Sequence, residues 1–298
     1  MDAGCHFFEG IAMKKHLSHI CILVAGISWG MIGLFTRRLL TAGFSPAAIV
    51  LTRNMGSLLA MTALFCILDR SIFRIRPRHL PLFLGTGVVS VVFFTLLYFS
   101  CQERCSLAVA AILLYTAPAF VMLMSAVLFR ETVTKQKLLA LALAFSGCAF
   151  VSGIFRGRLS VTAAGLLMGI GSAFFYALYS IFARYALRHY KPLTVTYYTF
   201  LCAGLASLFV ASPTAVLRLG SAPGIPLTVL GLVLLSTVLP FVLYTKGLAH
   251  VESGKASILA SIEPVAAAVV GVLAFGEPLS VPVILGLGCV LGSVYILR

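Results

Sequence analysis

Charge is what this sequence has least of. Asp, Glu, Lys and Arg make up 10% of its 298 residues, and only eight of them are acidic. A soluble domain carries roughly 25% charged residues because its surface must face water, so a soluble globular chain is excluded. The eight cysteines, at positions 5, 21, 66, 101, 105, 148, 202 and 289, form no CxxC pair, which argues against a metal site or a disulfide framework. Cys101 and Cys105 are the one close pair and read as small apolar side chains rather than a bridge. HExxH, a phosphate-binding P-loop and GxGxxG are all missing from the chain, and the one GxSxG string, Gly26-Ile27-Ser28-Trp29-Gly30, lies inside the first apolar span and makes no nucleophile elbow between a strand and a helix. Their absence removes an ATP-driven pump and leaves a membrane-embedded hydrolase without a nucleophile and base. The six histidines, at 6, 16, 19, 79, 189 and 250, lie at the termini or near loops. No enzyme activity, cofactor or metal is expected.

What the chain has instead is apolar length. Hydrophobic residues make up 61% of it and its mean hydropathy is +1.09, yet its formal charge is +14. A basic excess can signal nucleic acid, but 22 Lys and Arg dispersed through so apolar a chain form no broad wet groove. The expected partner is the lipid bilayer. A spanning helix needs about 20 mostly apolar residues, and breaking the chain at charges, Pro and Gly gives ten spans, near 17–36, 46–68, 80–100, 106–129, 136–154, 163–183, 193–211, 226–245, 255–275 and 281–297. Lys14 and Lys15 ahead of an apolar run imitate a signal peptide, but Arg37, Arg38 and nine more spans follow, so the run reads as an uncleaved first helix. With the N-terminus inside, inner segments hold fifteen Lys and Arg and outer loops six, with Arg53 inside a span. The positive-inside rule then places both termini in the cytoplasm, in a cell (inner) membrane.

The chain also repeats itself. A shift of 146 residues lays Pro46 on Pro192, Tyr98 on Tyr244, Ala110 on Ala256, Leu113 on Leu259, Pro118 on Pro264, Phe129 on Phe275 and Glu131 on Glu277, and a shift of 147 lays Trp29 on Tyr176 and Arg37 on Arg184. Seven matches at one offset, including residues as rare here as Pro and Glu, mark an internal duplication. Five spans per copy is an odd number, so the second copy enters the membrane from the opposite side. Inverted repeats are a recurrent plan of secondary transporters, because two such copies can exchange conformations about a central site. The expected fold is therefore an all-α membrane protein of ten transmembrane helices in two inverted five-helix repeats: a cytoplasmic segment 1–16, a first repeat 17–155 and a second repeat 160–298.

Three motifs carry a resemblance. Pro264-Val265 leading to Gly276-Glu277 with Leu279-Ser280, the counterpart Pro118 to Arg130-Glu131 with Val133-Thr134, and Ser28-Trp29-Gly30 in the first span resemble the EamA family of the drug/metabolite transporter superfamily. The resemblance covers essentially the whole chain. It implies a 5+5 helix arrangement around a central cavity lined mainly by the first, third, fourth, sixth, eighth and ninth helices, and leaves the solute open among amino acids, sugars, amines and other metabolites.

Candidate working residues follow from what is costly in a membrane. Glu263, mid-span, bears a charge that costs at least about 2.5 kcal/mol there, so it reads either as a coupling or cation-binding carboxylate or as a cap for groups freed by Pro264. At helical spacing it shares a stripe with Ala256, Ala260, Ala267 and Gly271. Arg53 either pairs with Glu263 or a substrate carboxylate, or snorkels to the interface. Pro118 and Pro264 read as helix breaks near the midplane or as packing kinks. Trp29, Phe94, Tyr98, Tyr115, Tyr176, Tyr179 and Tyr244 are the expected cavity aromatics, suited to stacking on a ring or caging an ammonium, whereas Tyr190, Tyr197 and Tyr198 suit interfacial belts. Thr134 and Ser280 are placed to cap the fifth and tenth helices, beside Glu131 and Glu277. Gly26/Gly30, Gly165/Gly169 and Gly288/Gly292 have the spacing of close helix contacts.

These readings converge on a secondary active transporter, exporting a small metabolite such as an amino acid by alternating access. A facilitative channel, an importer of an amine or sugar, a membrane-embedded enzyme and a homodimeric assembly remain as alternatives.

Overall fold

The structure, a computed structural model, describes residues 3–105, 107–152, 162–214, 216, 222–276, 278 and 280–297, with side chains omitted at 3–15, 68, 107 and 108. Helix is the only regular structure among the described residues. The long stretches are α1a (Ala3–Gly30), α1b (Ile32–Thr41), α2 (Pro46–Leu68), α3 (Pro77–Gln102), α4a (Leu107–Leu114), α4b (Ala117–Phe129), α5 (Lys135–Val151), α6 (Ala163–Ala186), α7 (Pro192–Ser207), α8 (Ile225–Leu248), α9a (Ser253–Ala260), α9b (Glu263–Phe275) and α10 (Val281–Ile296). Among the described residues seven helices are long and apolar enough to cross a membrane: α1 from His16 onward, α2, α3, α4, α6, α8 and α9. The others, α5, α7 and α10, run 17, 16 and 16 residues. Their turns explain where they start. Ser45, Thr134 and Thr162 accept the free amides of Ala48, Lys137 and Gly165 and so cap α2, α5 and α6. Ser280 does not do the same for α10; its buried hydroxyl has no hydrogen-bond partner among the described residues.

Packing obeys the sequence repeat. Exchanging α1 to α5 with α6 to α10 maps most of the large helix contacts onto one another: α1 lies on α8 and α9 as α6 lies on α3 and α4, α2 on α8 as α7 on α3, and α2–α7, α4–α9 and α5–α10 pair equivalents, whereas α7 also packs on α8. Outward positions obey it too. Val127 and Leu273, one repeat apart, are 80% and 81% exposed, an apolar surface that lipid accepts and water does not. α5 and α10 cross where Gly147 and Gly286 meet: a Cβ on either would lie 2.7 Å from the other's carbonyl oxygen. This is the close approach that the spacing Gly288/Gly292 suggested, but at a different register. Gly288 has nothing within 4 Å of its missing Cβ and Gly292 only Leu143.

The tyrosines suited to interfacial belts also make specific contacts. Tyr190 accepts from the Arg76 amide at 2.9 Å and meets His79 Nδ1 at 2.8 Å, Tyr198 donates to the Phe73 carbonyl, and Tyr197 lies 3.3 Å from the Thr62 hydroxyl. Together they fasten the α2–α3 connection to α7. The described cysteines, Cys101 and Cys105 included, are free thiols.

Candidate functional site

The two central helices are broken at equivalent places. α4 is interrupted at Tyr115-Thr116 and α9 at Ser261-Ile262, positions 146 residues apart. Pro118 and Pro264 each stand second in the following half-helix, where the missing N–H has no intrahelical acceptor to lose. The prolines thus begin new half-helices instead of kinking continuous ones. For the same reason the stripe Ala256, Ala260, Glu263, Ala267 and Gly271 is not one face, since the turn at 261–262 resets the helical phase and Glu263 becomes the first residue of α9b. A second pair of irregularities flanks these breaks: wide π-type turns at Gly85–Val92 in α3 and Leu234–Val238 in α8, which also fall at equivalent positions. Such turns recur at functional sites in helical proteins.

α1a presses directly on the α9 break. A Cβ on Gly30 would lie 2.5 Å from the Glu263 carbonyl oxygen, and one on Gly26 2.8 Å from that of Ala260. Ala173 and Ala177 of α6 make the matching contact with Ala117 at the α4 break. Gly30→Val forces backbone apart at this contact, so its melting temperature in detergent should fall by several degrees, which a thermal unfolding scan measures.

The aromatic candidates divide into two groups. Trp29, Tyr179 and Tyr244 gather around Phe241, with centroids at 5.3 Å for Trp29–Phe241, 5.1 Å for Tyr179–Phe241 and 5.4 Å for Trp29–Tyr244. The hydroxyls of this group are already committed between α6 and α8: Tyr179 to the Thr245 hydroxyl at 2.7 Å and Tyr244 to that of Ser180 at 2.8 Å. The second group holds Phe94, with Tyr176 at 5.1 Å and Tyr98 at 6.3 Å, and Tyr115 beside it. Tyr176 and Tyr179, three residues apart on α6, therefore belong to different groups. Tyr115 and Tyr176 are half-buried and their hydroxyls make no hydrogen bond among the described residues.

Charge sits where these groups meet. Glu263 is near enough to Tyr98, Tyr115 and Tyr176 for them to feel its carboxylate, and near enough to Arg53 for attraction. No ion pair within 4.0 Å joins the two, and no hydrogen bond reaches the Glu263 carboxylate among the described residues. Arg53 does not reach for an interface. Its guanidinium lies over the Phe241 ring at 5.6 Å, and its Nε is buried without a hydrogen-bond partner.

The two ends of the molecule differ. At the end carrying Arg130 and Arg184, the Glu131 carboxylate crosses between the halves and accepts the Ser253 and Gly254 amides at 2.8 and 3.2 Å. Lys137 pairs with Glu252 and donates to the Thr132 carbonyl, and Arg188 lies over Phe129 at 5.5 Å. A cavity of about 480 Å³ lies at this end, among Arg130, Glu131, Arg184, Arg188 and Glu252. At the opposite end Arg37 covers Phe275 at 4.3 Å. A cavity of about 270 Å³ runs from Arg37, Ser152 and Pro278 down to Tyr115 and Pro264, the residues of the two breaks. Glu277 lies outside the described residues.

With this geometry in view, the comparisons are specific. The EamA-like transporter family matches the chain twice, over residues 16–153 and 163–298. The chain belongs to the EamA family. Its relatives include an uncharacterized transporter of Archaeoglobus fulgidus, 30% identical and covering 92% of this chain and 94% of its own length. An uncharacterized inner membrane transporter of Salmonella typhimurium, YicL, is 27% identical with 93% of each covered. YyaM, an uncharacterized transporter of Bacillus subtilis, is 24% identical, covering 91% and 90%. A solved structure described only as "Crystal structure of protein" superposes with a TM-score of 0.77 at 19% identity, over 94% of this chain and 95% of its own, a likeness of fold. This EamA protein is accordingly a multi-pass membrane transporter.

Two features of this EamA chain escape sequence reasoning. Phe241, under Arg53 and between Trp29 and Tyr179, is one of 22 phenylalanines and has no polar atom to single it out. Glu131 was read beside its own helix α5, whereas it caps α9a of the other half; only the fold brings residues 122 positions apart together.

Proposed function

We propose that this protein is a secondary active transporter that exports a small polar metabolite, such as an amino acid, by alternating access. In this reading the seven long helices and the shorter α5, α7 and α10 all cross the bilayer as two inverted five-helix repeats, with both termini in the cytoplasm. At 1.5 Å per residue the three short helices are about 24–26 Å long, enough to cross with modest local thinning. The carrying observation is the pair of equivalent helix breaks, at Tyr115-Thr116 and Ser261-Ile262, meeting aromatic walls and the charges of Arg53 and Glu263. Discontinuous helices with polar groups at the midplane are where secondary transporters hold their solute. The two ends differ: Glu131, Lys137 and Arg188 tie the halves together at the end we take as cytoplasmic, beside the larger cavity, while the smaller cavity at the other end is the one that reaches Tyr115 and Pro264 at the breaks. Glu263 is the group we assign to coupling with protons.

Purified protein in liposomes should move amino acids saturably, at a rate set by an imposed pH gradient and faster from the cytoplasmic face. Non-saturating flux would make it a channel. No flux of any solute in a broad metabolite panel, with or without the gradient, overturns the transporter reading for this chain.

A further inference from the structure

We infer that the cavity at the Arg130 end is a binding site for an anionic phosphate group, held by Arg130, Arg184 and Arg188 at the seam between the two halves. It is separate from the helix breaks, and the inference stands whatever solute they serve.

The cavity measures about 480 Å³ and is bordered by the ends of α4b and α6 and by the α8–α9 connection. Five charged side chains line it, two of them carboxylates. Both carboxylates are already engaged: Glu131 accepts the Ser253 and Gly254 amides, and Glu252 pairs with the buried Lys137. The three guanidiniums are left without an anion. Arg184 gives one nitrogen to the Leu248 and Val251 carbonyls, which fixes it against the α8–α9 connection and leaves the rest of its planar fork for a ligand. Arg188 lies over the rings of Phe129 and Tyr185, at 5.5 and 4.9 Å. Ring faces orient a guanidinium but cancel none of its charge. The Arg130 side chain is exposed and makes no hydrogen bond or ion pair among the described residues.

The backbone at Arg130 adds a second, independent observation. Among the described residues it is the one non-glycine residue with a positive φ, at +56°, a left-handed conformation that strains a Cβ and favours glycine at a helix end. One repeat away the same turn is Gly276, at +64°. The two copies share the turn, and the copy at the other end has the residue that suits it. An arginine held in such a turn beside two others is a residue kept for its guanidinium.

A phosphate group answers all three. Guanidiniums recognise it through paired N–H donors, and its tetrahedral oxygens face several arginines at once, where a carboxylate offers two oxygens in one plane. Basic pockets between helices on the cytoplasmic side take anionic lipid headgroups. α4b, which ends at the cavity, carries the exposed side chains of Leu123, Val127 and Leu128, along which an acyl chain can lie. A soluble phosphate reaches the same arginines from water. Either occupant joins Arg130 of the first half to Arg184 and Arg188 of the second, and so reinforces the closure that Glu131 makes at this end.

Thermal unfolding of the purified protein in maltoside detergent tests this, with phosphatidylglycerol, phosphatidylcholine, inorganic phosphate, or sodium chloride at the ionic strength of the phosphate. Phosphatidylglycerol should raise the melting temperature by several degrees more than phosphatidylcholine, whose choline cancels its phosphate, because it binds the folded state. Arg130→Gly should weaken the apparent affinity for phosphatidylglycerol about tenfold or more, the scale of one charge-assisted hydrogen bond. Without lipid it should melt no lower than wild type, since glycine adopts this turn freely. Arg188→Gln should weaken the affinity likewise. Arg74→Gln, exposed on the α2–α3 connection at the same end but outside the cavity, should leave it unchanged. A shift with phosphatidylglycerol alone supports a lipid headgroup as the occupant, one with inorganic phosphate alone a soluble anion, and one with both a site open to either. The inference is overturned if neither exceeds its control, if Arg130→Gly and Arg188→Gln keep the wild-type response, or if Arg74→Gln loses it to the same degree.

Discussion

Glu131→Ala should let the Ser253 and Gly254 amides exchange with solvent about thirtyfold faster, as hydrogen exchange followed by mass spectrometry of the α9a peptide would measure. The magnitude follows from the contact. Each carboxylate oxygen takes one amide, at 2.8 and 3.2 Å, and no side chain of α9a's own caps it, since Glu252 at the cap position makes no such bond. The first amides of a helix have no intrahelical acceptor, so Glu131 is what protects these two. Hydrogen bonds to a charged group contribute about 1.5–3 kcal/mol, and a carboxylate at a helix N-terminus gains further from the helix dipole. About 2 kcal/mol is a factor of about thirty. Glu131→Gln, which keeps one acceptor oxygen, should fall between. The same bonds join the two halves, so Glu131→Ala should also raise reactivity at the Arg130 end and lower it at the Arg37 end, as that closure is released. Unchanged exchange at Ser253 and Gly254 would remove Glu131 from any gating role.

The doubling of the chain was legible because it rests on rare residues: in so apolar a sequence, Pro118 with Pro264 and Glu131 with Glu277 stand out at one offset. The form of the break was not. A proline four residues past a carbonyl predicts a kink as readily as a fresh start, and only the backbone shows that Pro118 and Pro264 open α4b and α9b. Arg53 lies seven residues into α2, so sequence distance allows its long side chain to reach the interface. Packing of α2 against α8 turns it inward over Phe241 instead. Tyr179 and Tyr244 read from the sequence as cavity aromatics, but both are buried and their hydroxyls belong to Thr245 and Ser180. A partner across two helices has no signature in either helix alone.

Glu263→Gln separates stability from function most sharply. A structural carboxylate loses hydrogen bonds or an ion pair when it becomes an amide, and the protein weakens. Glu263 has no hydrogen bond among the described residues and no ion pair within 4.0 Å, so the amide, nearly the same shape, gives up only a distant attraction to Arg53. It also removes an ionised group whose presence in the bilayer costs at least about 2.5 kcal/mol. The variant should therefore melt at or above the wild-type temperature. Transport should move the other way. Solute flux should fall about ten- to hundredfold with loss of the charge-assisted contact, and the residual flux should no longer respond to an imposed pH gradient, because Glu263 is the carboxylate that acts on Tyr98, Tyr115 and Tyr176 beside the breaks. Residues kept for function at the expense of stability behave in this way. A Glu263→Gln protein that melts several degrees lower while keeping its pH response would instead make Glu263 a brace for the α9 break.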